Sequence, residues 1–203
     1  LQALTVPETA TYFFTNSAGI ETLGADSIDE VCMQRILFEY QLAQEDAFLQ
    51  WAGLQSSRPA LLVLDRRALD SRVFLRDEQW LRMLSLPEKR KFSECDLLRR
   101  YDVLIHMHSC AGHAEYASGM DSNNPARHHS EDEAKALDQR TSWVIQGHPW
   151  IREVPYMARL EAKMDAVYGF VHEALQELRD LKVGAMECSG CDAEEMESED
   201  CIG

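Results

Sequence analysis

The feature that most constrains this chain is an apolar run from Pro59 to Leu64 that ends on Asp65, Arg66 and Arg67. Apolar residues without polar alternation are typical of a strand buried on both faces, as in parallel sheets covered by helices. The carboxyl ends of such strands are where open α/β sheets bind ligands. An aspartate there can position a hydrated Mg²⁺, and an arginine can bind phosphate. The run therefore indicates phosphoryl-transfer chemistry.

A phosphate-binding P-loop of the form G-x-x-x-x-G-K-[ST] is not found in the sequence. Gly19 and Gly24 have the right separation, but the residue after Gly24 is not lysine. The chain opens at Leu1, just before a strand-like segment from Leu4 to Val6. We expect the first strand, the P-loop and the first helix of such a domain to lie upstream, so that this chain is a fragment of a longer protein.

Composition fits one domain with a buried core, because the 203 residues are 45% hydrophobic. The formal net charge of -15 argues against broad contact with nucleic acid. The sequence has no signal peptide and no apolar segment of the ~18 residues that a transmembrane segment needs. These observations predict a cytoplasmic protein.

The acidity is concentrated at the end of the chain. From Val183 onward there are seven acidic residues and no basic residue. Such a composition predicts a disordered acidic tail over residues 183–203, following a domain over residues 1–182. The tail is a candidate binding segment for a protein partner.

Hydrophobic periodicity predicts strands that alternate with long helices, and hence a parallel sheet. A helix is predicted from Ser27 to about Gln55, with Ser27 and Glu30 as a capping box. The remaining predicted elements are strands at Leu61–Leu64, Tyr101–Met107 and Trp150–Val154, and a closing helix at Tyr156–Leu181.

A polar connection from Asn123 to Thr141 contains Arg127 and Arg140, and a second capping box is predicted at Ser130 and Glu133. Arginines on a mobile connection of this kind can reach developing phosphate charge, as in a kinase lid. The alternative is that both arginines pair with nearby acids on a solvated helix.

Taken together, five segments resemble the AAA-type ATPase domain shared by NadR-like kinases and the eukaryotic translocation-defect proteins. The resemblance covers roughly Leu4 to Leu181 and follows the order of the family's motifs. The segments are Val6–Ala10, Leu64–Ser71, Arg100–His106, Asn123–Arg140 and Gly147–Pro149.

The resemblance implies a three-layer P-loop NTPase fold of nucleoside-kinase type, with helices on both faces of a parallel sheet. It also implies binding of ATP or GTP with Mg²⁺. In that fold Asp65, which would hold Mg²⁺ indirectly, and Arg66 lie beside the phosphates. Glu8 and Asn124 lie on the substrate side, and Arg127 and Arg140 come from the lid. Apart from the resemblance, Asp70 is a further candidate on the substrate side, and its place in the sequence fits either a partner of Arg66 or an acid at a helix N-terminus.

Two functional classes remain open. In one, the parent protein is a phosphotransferase or NTPase, and this chain alone is inactive because it lacks the P-loop. In the other, the domain is a non-catalytic nucleotide-binding module with a regulatory or protein-interaction role.

Overall fold

The computed structural model describes residues 2–16, 29–54, 59–86, 91–113 and 129–191, with side chains through residue 180. The chain divides into two compact units, Leu1–Leu104 with Ser109–Ile151, and Ile105–His108 with Arg152–Gly203. The strands are β1 (Gln2–Val6), β2 (Ala60–Leu64), β3 (Leu104–Met107) and β4 (Ile151–Val154). The α-helices are α1 (Thr9–Asn16), α2 (Glu30–Gly53), α3 (Ser71–Phe74), α4 (Asp77–Ser85), α5 (Glu94–Leu98), α6 (Glu131–Val144) and α7 (Leu160–Cys191), with a 3-10 turn at Ala68–Asp70.

Strands β1 and β2 pair in parallel, with Gln2 opposite Ala60 and Val6 opposite Leu64. Parallel neighbours need a long crossover connection, and helices α1 and α2 lie between these two strands in the sequence. The predicted α/β class with parallel strands is therefore confirmed.

Strands β3 and β4 form a second two-stranded sheet. The amide of Leu104 donates to the carbonyl oxygen of Trp150, and the amide of His108 donates to that of Val154, both at 2.9 Å. Both partners advance by the same number of residues, so the strands run parallel. Each of the two sheets is two-stranded in the part of the chain that the structure describes.

Burial of β2 differs from the prediction. The apolar run was predicted to be buried on both faces, but β2 is mostly half-buried and Val63 is 47% exposed. The reason is that β2 hydrogen-bonds to β1 alone within the described segments, and helices do not cover all of its surface.

The main core lies in the first unit, where α2 packs against α4 and the turn that follows β2. The ring of Trp80 is 1% exposed, and its Nε1 donates to Oε1 of Glu94 at 2.7 Å. Phe38 meets Trp80 edge to face at 6.1 Å between ring centroids, a favourable aromatic geometry. This core packs the turn that follows β2 against α2 and α4.

Two helix starts test the predicted capping boxes. At α6 the prediction is confirmed, because Ser130 caps the helix and Glu133 accepts from the Ser130 amide at 2.8 Å. At α2 the prediction of Ser27 is wrong. Oδ1 of Asp29 accepts from the amides of Val31 and Cys32, so the helix begins two residues later than Ser27 would place its cap. A carboxylate is an equally good cap, and its charge also suits the positive end of the helix.

In the second unit, α7 begins at Leu160 and continues to Cys191, past the predicted end at Leu181. Arg152 on β4 lies 3.9 Å from Glu173 and 3.8 Å from Glu177 of this helix. Nζ of Lys163 donates to the carbonyl oxygen of His108 at 2.8 Å. The helix thus includes residues 183–191, which were predicted to belong to the disordered tail. Residues 192–203 lie outside the described part, so disorder there stays a prediction.

Helices with the length and apolar character of a membrane span are not found among the described residues.

Candidate functional site

The carboxyl ends of β1 and β2 lie side by side because the two strands are parallel and in register. The amide of Asp65 continues the ladder by donating to the carbonyl oxygen of Val6 at 3.0 Å. Just beyond the strands, Nε of Arg66 lies 3.2 Å from Oε1 of Glu8. Three residues singled out from the sequence, Glu8, Asp65 and Arg66, therefore meet at one edge of the sheet.

The backbone of Arg66 is left-handed, with φ at 77°. Residues other than glycine rarely adopt this backbone conformation, because their Cβ atom crowds the neighbouring carbonyl oxygen. Nε2 of Gln41 donates to the carbonyl oxygen of Arg66 at 3.3 Å and helps to hold the turn. The turn brings the Arg66 side chain back towards Glu8 while leaving it half exposed.

Both carboxylate oxygens of Glu8 are engaged. Oε1 meets Arg66, and Oε2 accepts a hydrogen bond from the hydroxyl of Thr11 in the first turn of α1. The Glu8 carboxylate is thus held in place by a guanidinium and a hydroxyl. A carboxylate so occupied is better suited to fixing Arg66 than to accepting a proton from a ligand.

Asp65 is the less occupied acid of the edge. Its carboxylate has no hydrogen-bond partner among the described residues. Desolvation at the strand end and the nearby charge of Glu8 raise its pKa above the usual value, although Arg66 opposes the shift. A cation beside Asp65 would relieve the repulsion that raises this pKa.

The charged form of the Arg66 side chain is also favoured at this edge of the sheet. Desolvation disfavours the guanidinium charge, but Asp70, Glu8 and Asp65 outweigh it and raise the pKa of Arg66. Together these residues carry more negative than positive charge. An excess of negative charge at a site favours the binding of a cation over that of an anion.

Asp70 binds Arg67 rather than Arg66. Its Oδ1 lies 2.6 Å from Nη2 of Arg67, and its Oδ2 accepts from the Arg67 amide at 3.2 Å. Asp70 is 5% exposed and closes the 3-10 turn at its N-terminal end. Of the two roles expected for Asp70, the structure places it in the second, as an acid at a helix start.

A buried network of hydrogen bonds joins α2 to residues next to this edge of the sheet. Oε1 of Gln41 accepts from the Thr9 hydroxyl at 2.6 Å, and Nε2 of Gln41 donates to Oε1 of Glu45 at 3.2 Å. Glu45 is 3% exposed, and it also accepts from the hydroxyl of Tyr101 at 2.9 Å and from Nε of Arg100 at 2.8 Å. The carboxylate is therefore satisfied by three donors, as a buried charge requires.

Tyr101 extends this network to the turn after β2. Its hydroxyl accepts from the amide of Ala68 at 2.9 Å while it donates to Glu45. Burial and the Glu45 charge raise the pKa of Tyr101 well above its ordinary value.

Sequence reasoning missed the network of Gln41, Glu45 and Tyr101. The available signal was the pair of polar residues one turn apart beside the apolar Phe38 and Leu42 of α2. Polar residues within an otherwise apolar helix face often mark buried hydrogen bonds.

Of the two arginines predicted to form a lid, the structure describes Arg140. Arg140 lies on α6, and its Nη2 donates to the carbonyl oxygen of Leu75. Among the described residues Arg140 has no carboxylate partner, so the predicted pairing with nearby acids is not found for it, and its role in a lid stays a prediction. Arg127 and Asn124 lie outside the described residues, as do Gly19 and Gly24.

Comparisons with protein-family models, with curated proteins and with solved structures found no match.

Proposed function

We propose that the edge formed by Glu8, Asp65 and Arg66 binds Mg²⁺ together with the phosphates of ATP or GTP, within a kinase-like P-loop domain. The observation that carries the proposal is the convergence of two acids and an arginine at the carboxyl ends of parallel β1 and β2. This is the position at which open α/β sheets bind ligands.

The roles follow from the contacts. Asp65, the acid without a hydrogen-bond partner in the described segments, is the group available to hold the hydration shell of Mg²⁺. Arg66 is anchored through its carbonyl oxygen by Gln41, and its half-exposed guanidinium can meet a phosphate oxygen. Glu8 keeps that guanidinium in place. The bound cation supplies charge neutralisation of the phosphates.

A second candidate is a nucleotide-binding module without catalysis. It is favoured by the state of Glu8, whose two oxygens are taken by Arg66 and Thr11. An acid held in this way is not free to act as a general base for an acceptor hydroxyl. Both candidates share Mg²⁺-dependent nucleotide binding at Asp65.

The test is an NMR titration of the 203-residue chain with ATP, carried out in Mg²⁺ and again in EDTA. We expect a dissociation constant of about 1 mM or weaker in Mg²⁺, since the P-loop that makes most phosphate contacts is not in this chain. EDTA should weaken binding further.

Asp65→Asn should make the Mg²⁺ and EDTA titrations coincide. Asp165→Asn is the matched control, because Asp165 is an exposed acid on α7 and its substitution changes the net charge equally. If the wild-type titrations do not differ between Mg²⁺ and EDTA, or if Asp65→Asn behaves as wild type, the proposal is wrong.

A further inference from the structure

A groove of about 550 Å³ lies in the first unit, and its lining residues do not include Glu8, Asp65 or Arg66 of the proposed nucleotide edge. Its volume falls in the range of small-molecule sites. The lining residues come from the start of α4 and from one face of α6: Arg76, Asp77, Ala136, Gln139, Arg140 and Trp143.

The charge of the groove contrasts with that of the chain. The protein has a formal net charge of -15, yet two of the lining residues are arginines. Neither Arg76 nor Arg140 forms an ion pair with a carboxylate among the described residues. Asp77 is the acid of the lining, and its Oδ1 lies 3.8 Å from Nη2 of the neighbouring Arg72. The positive charge of the groove is therefore left for a ligand.

Unsatisfied donors point in the same direction. Nε of Arg140 and Nε of Arg72 are both buried, and both lack an acceptor in the part of the chain that the structure describes. Buried donors are normally paired, and leaving one without an acceptor is costly. The hydrogen bonds of the Arg140 guanidinium are thus only partly satisfied, with Nη2 held by Leu75, and an oxyanion in the groove would supply an acceptor to the part of this guanidinium that lines it.

Trp143 adds an aromatic surface. The guanidinium carbon of Arg72 lies 4.5 Å from the centroid of its ring, which is a cation-π contact. The side chain is nevertheless 50% exposed at the wall of the groove. Because Arg72 covers one part of the indole, the accessible part is available to stack on a planar group of a ligand.

We propose that this groove binds a small ligand that combines an oxyanion with a planar ring, such as an aromatic phosphate or carboxylate. Arg140 and Arg76 bind the oxyanion, and Trp143 stacks on the ring. This site differs from the proposed nucleotide edge in its residues, and it needs no metal ion.

The test uses ligand-observed NMR on the full 203-residue chain in EDTA, with phenyl phosphate, benzoate, inorganic phosphate and phenol as probes. Phenyl phosphate should bind about tenfold more tightly than inorganic phosphate, because stacking adds to the ionic contacts. Phenol, which lacks the charge, should bind too weakly to measure. Binding of benzoate as tight as that of phenyl phosphate would assign the carboxylate as the natural group, and weaker binding would assign the phosphate.

Variants separate the two parts of the site. Arg140→Gln should weaken phenyl phosphate about tenfold or more, since a charge-assisted contact is lost. Arg76→Gln should also weaken the binding of phenyl phosphate. Because Arg76 is exposed, this variant keeps the test valid if Arg140→Gln does not fold. Trp143→Leu should remove the preference for phenyl phosphate over inorganic phosphate while leaving phosphate binding intact.

Arg82→Gln is the matched control, because Arg82 lies on the same helix α4, is mostly exposed and pairs with Asp29 outside the groove. It should bind phenyl phosphate as wild type does. Equal affinities of wild type and Arg76→Gln, or the absence of phenyl phosphate binding to the wild type, would overturn the proposal. Asp65→Asn should leave this binding unchanged, so failure here is separable from failure of the nucleotide proposal.

Discussion

Substitution of Tyr101 by phenylalanine is the sharpest test of the network beneath the sheet edge. The Tyr101 hydroxyl donates to Oε1 of Glu45 and accepts from the amide of Ala68, both at 2.9 Å. Tyr101→Phe keeps the ring and removes both bonds. Ala68 is 1% exposed, so its amide is left without water or another acceptor.

The magnitude follows from these two bonds. A hydrogen bond to a charged group contributes about 1.5–3 kcal/mol, and a stranded buried amide costs about 1–3 kcal/mol. Glu45 keeps Gln41 and Arg100 as donors, so the lower part of the first range applies. We therefore expect Tyr101→Phe to lower the free energy of unfolding by about 3 kcal/mol.

Urea denaturation measures this loss as a lower midpoint with an unchanged slope. Tyr168→Phe is the control, because Tyr168 is 65% exposed on α7 and should change stability by less than about 0.5 kcal/mol. The reasoning is refuted if Tyr101→Phe unfolds within that margin of the wild type.

Two further predictions concern the same region. Arg66→Gly should be more stable to urea than Arg66→Ala by about 1 kcal/mol, because glycine adopts the left-handed backbone of position 66 without strain; equal stabilities would contradict the observed φ. The pKa of Tyr101 is raised by burial, so the folded state retains its proton where the unfolded state loses it. Its contribution to stability is therefore full below pH about 10 and falls above it by up to about 1.4 kcal/mol per pH unit. Urea midpoints of wild type and Tyr101→Phe should converge as the pH rises from 10 to 11, and parallel profiles would show that Tyr101 ionises normally.

Much of the fold is readable from the sequence because it depends on local patterns. Apolar runs at Leu61–Leu64 and Trp150–Val154 correspond to β2 and β4, and Ser130 caps α6 as its spacing predicts. The cap of α2 is not readable in this way, since Ser27 and Asp29 are both good caps and lie close together.

The burial of β2 depends on what packs against it, and composition alone does not determine that. An apolar run predicts where a strand is, but Val63 is exposed because the described sheet has two strands rather than many. Burial on both faces requires neighbours that the run itself does not encode.

The candidate site also has parts that local sequence patterns predict and parts that they do not. Glu8 and Arg66 follow two strands, so their meeting can be expected once the strands are taken as parallel neighbours. The left-handed backbone at position 66 could not be predicted, because the residue there is arginine and not glycine. The pairing of Glu45 with Tyr101 joins residues 56 positions apart, which no local pattern reveals.

The position of Gln41 has a mechanical consequence for the edge. Its amide binds the hydroxyl of Thr9, next to Glu8, and the carbonyl oxygen of Arg66. A displacement of α2 would therefore pull both strand ends in the same direction instead of separating them. The register of the sheet sets the distance between Glu8 and Arg66. Increasing this distance requires several hydrogen bonds to break together, so we expect the edge to be rigid.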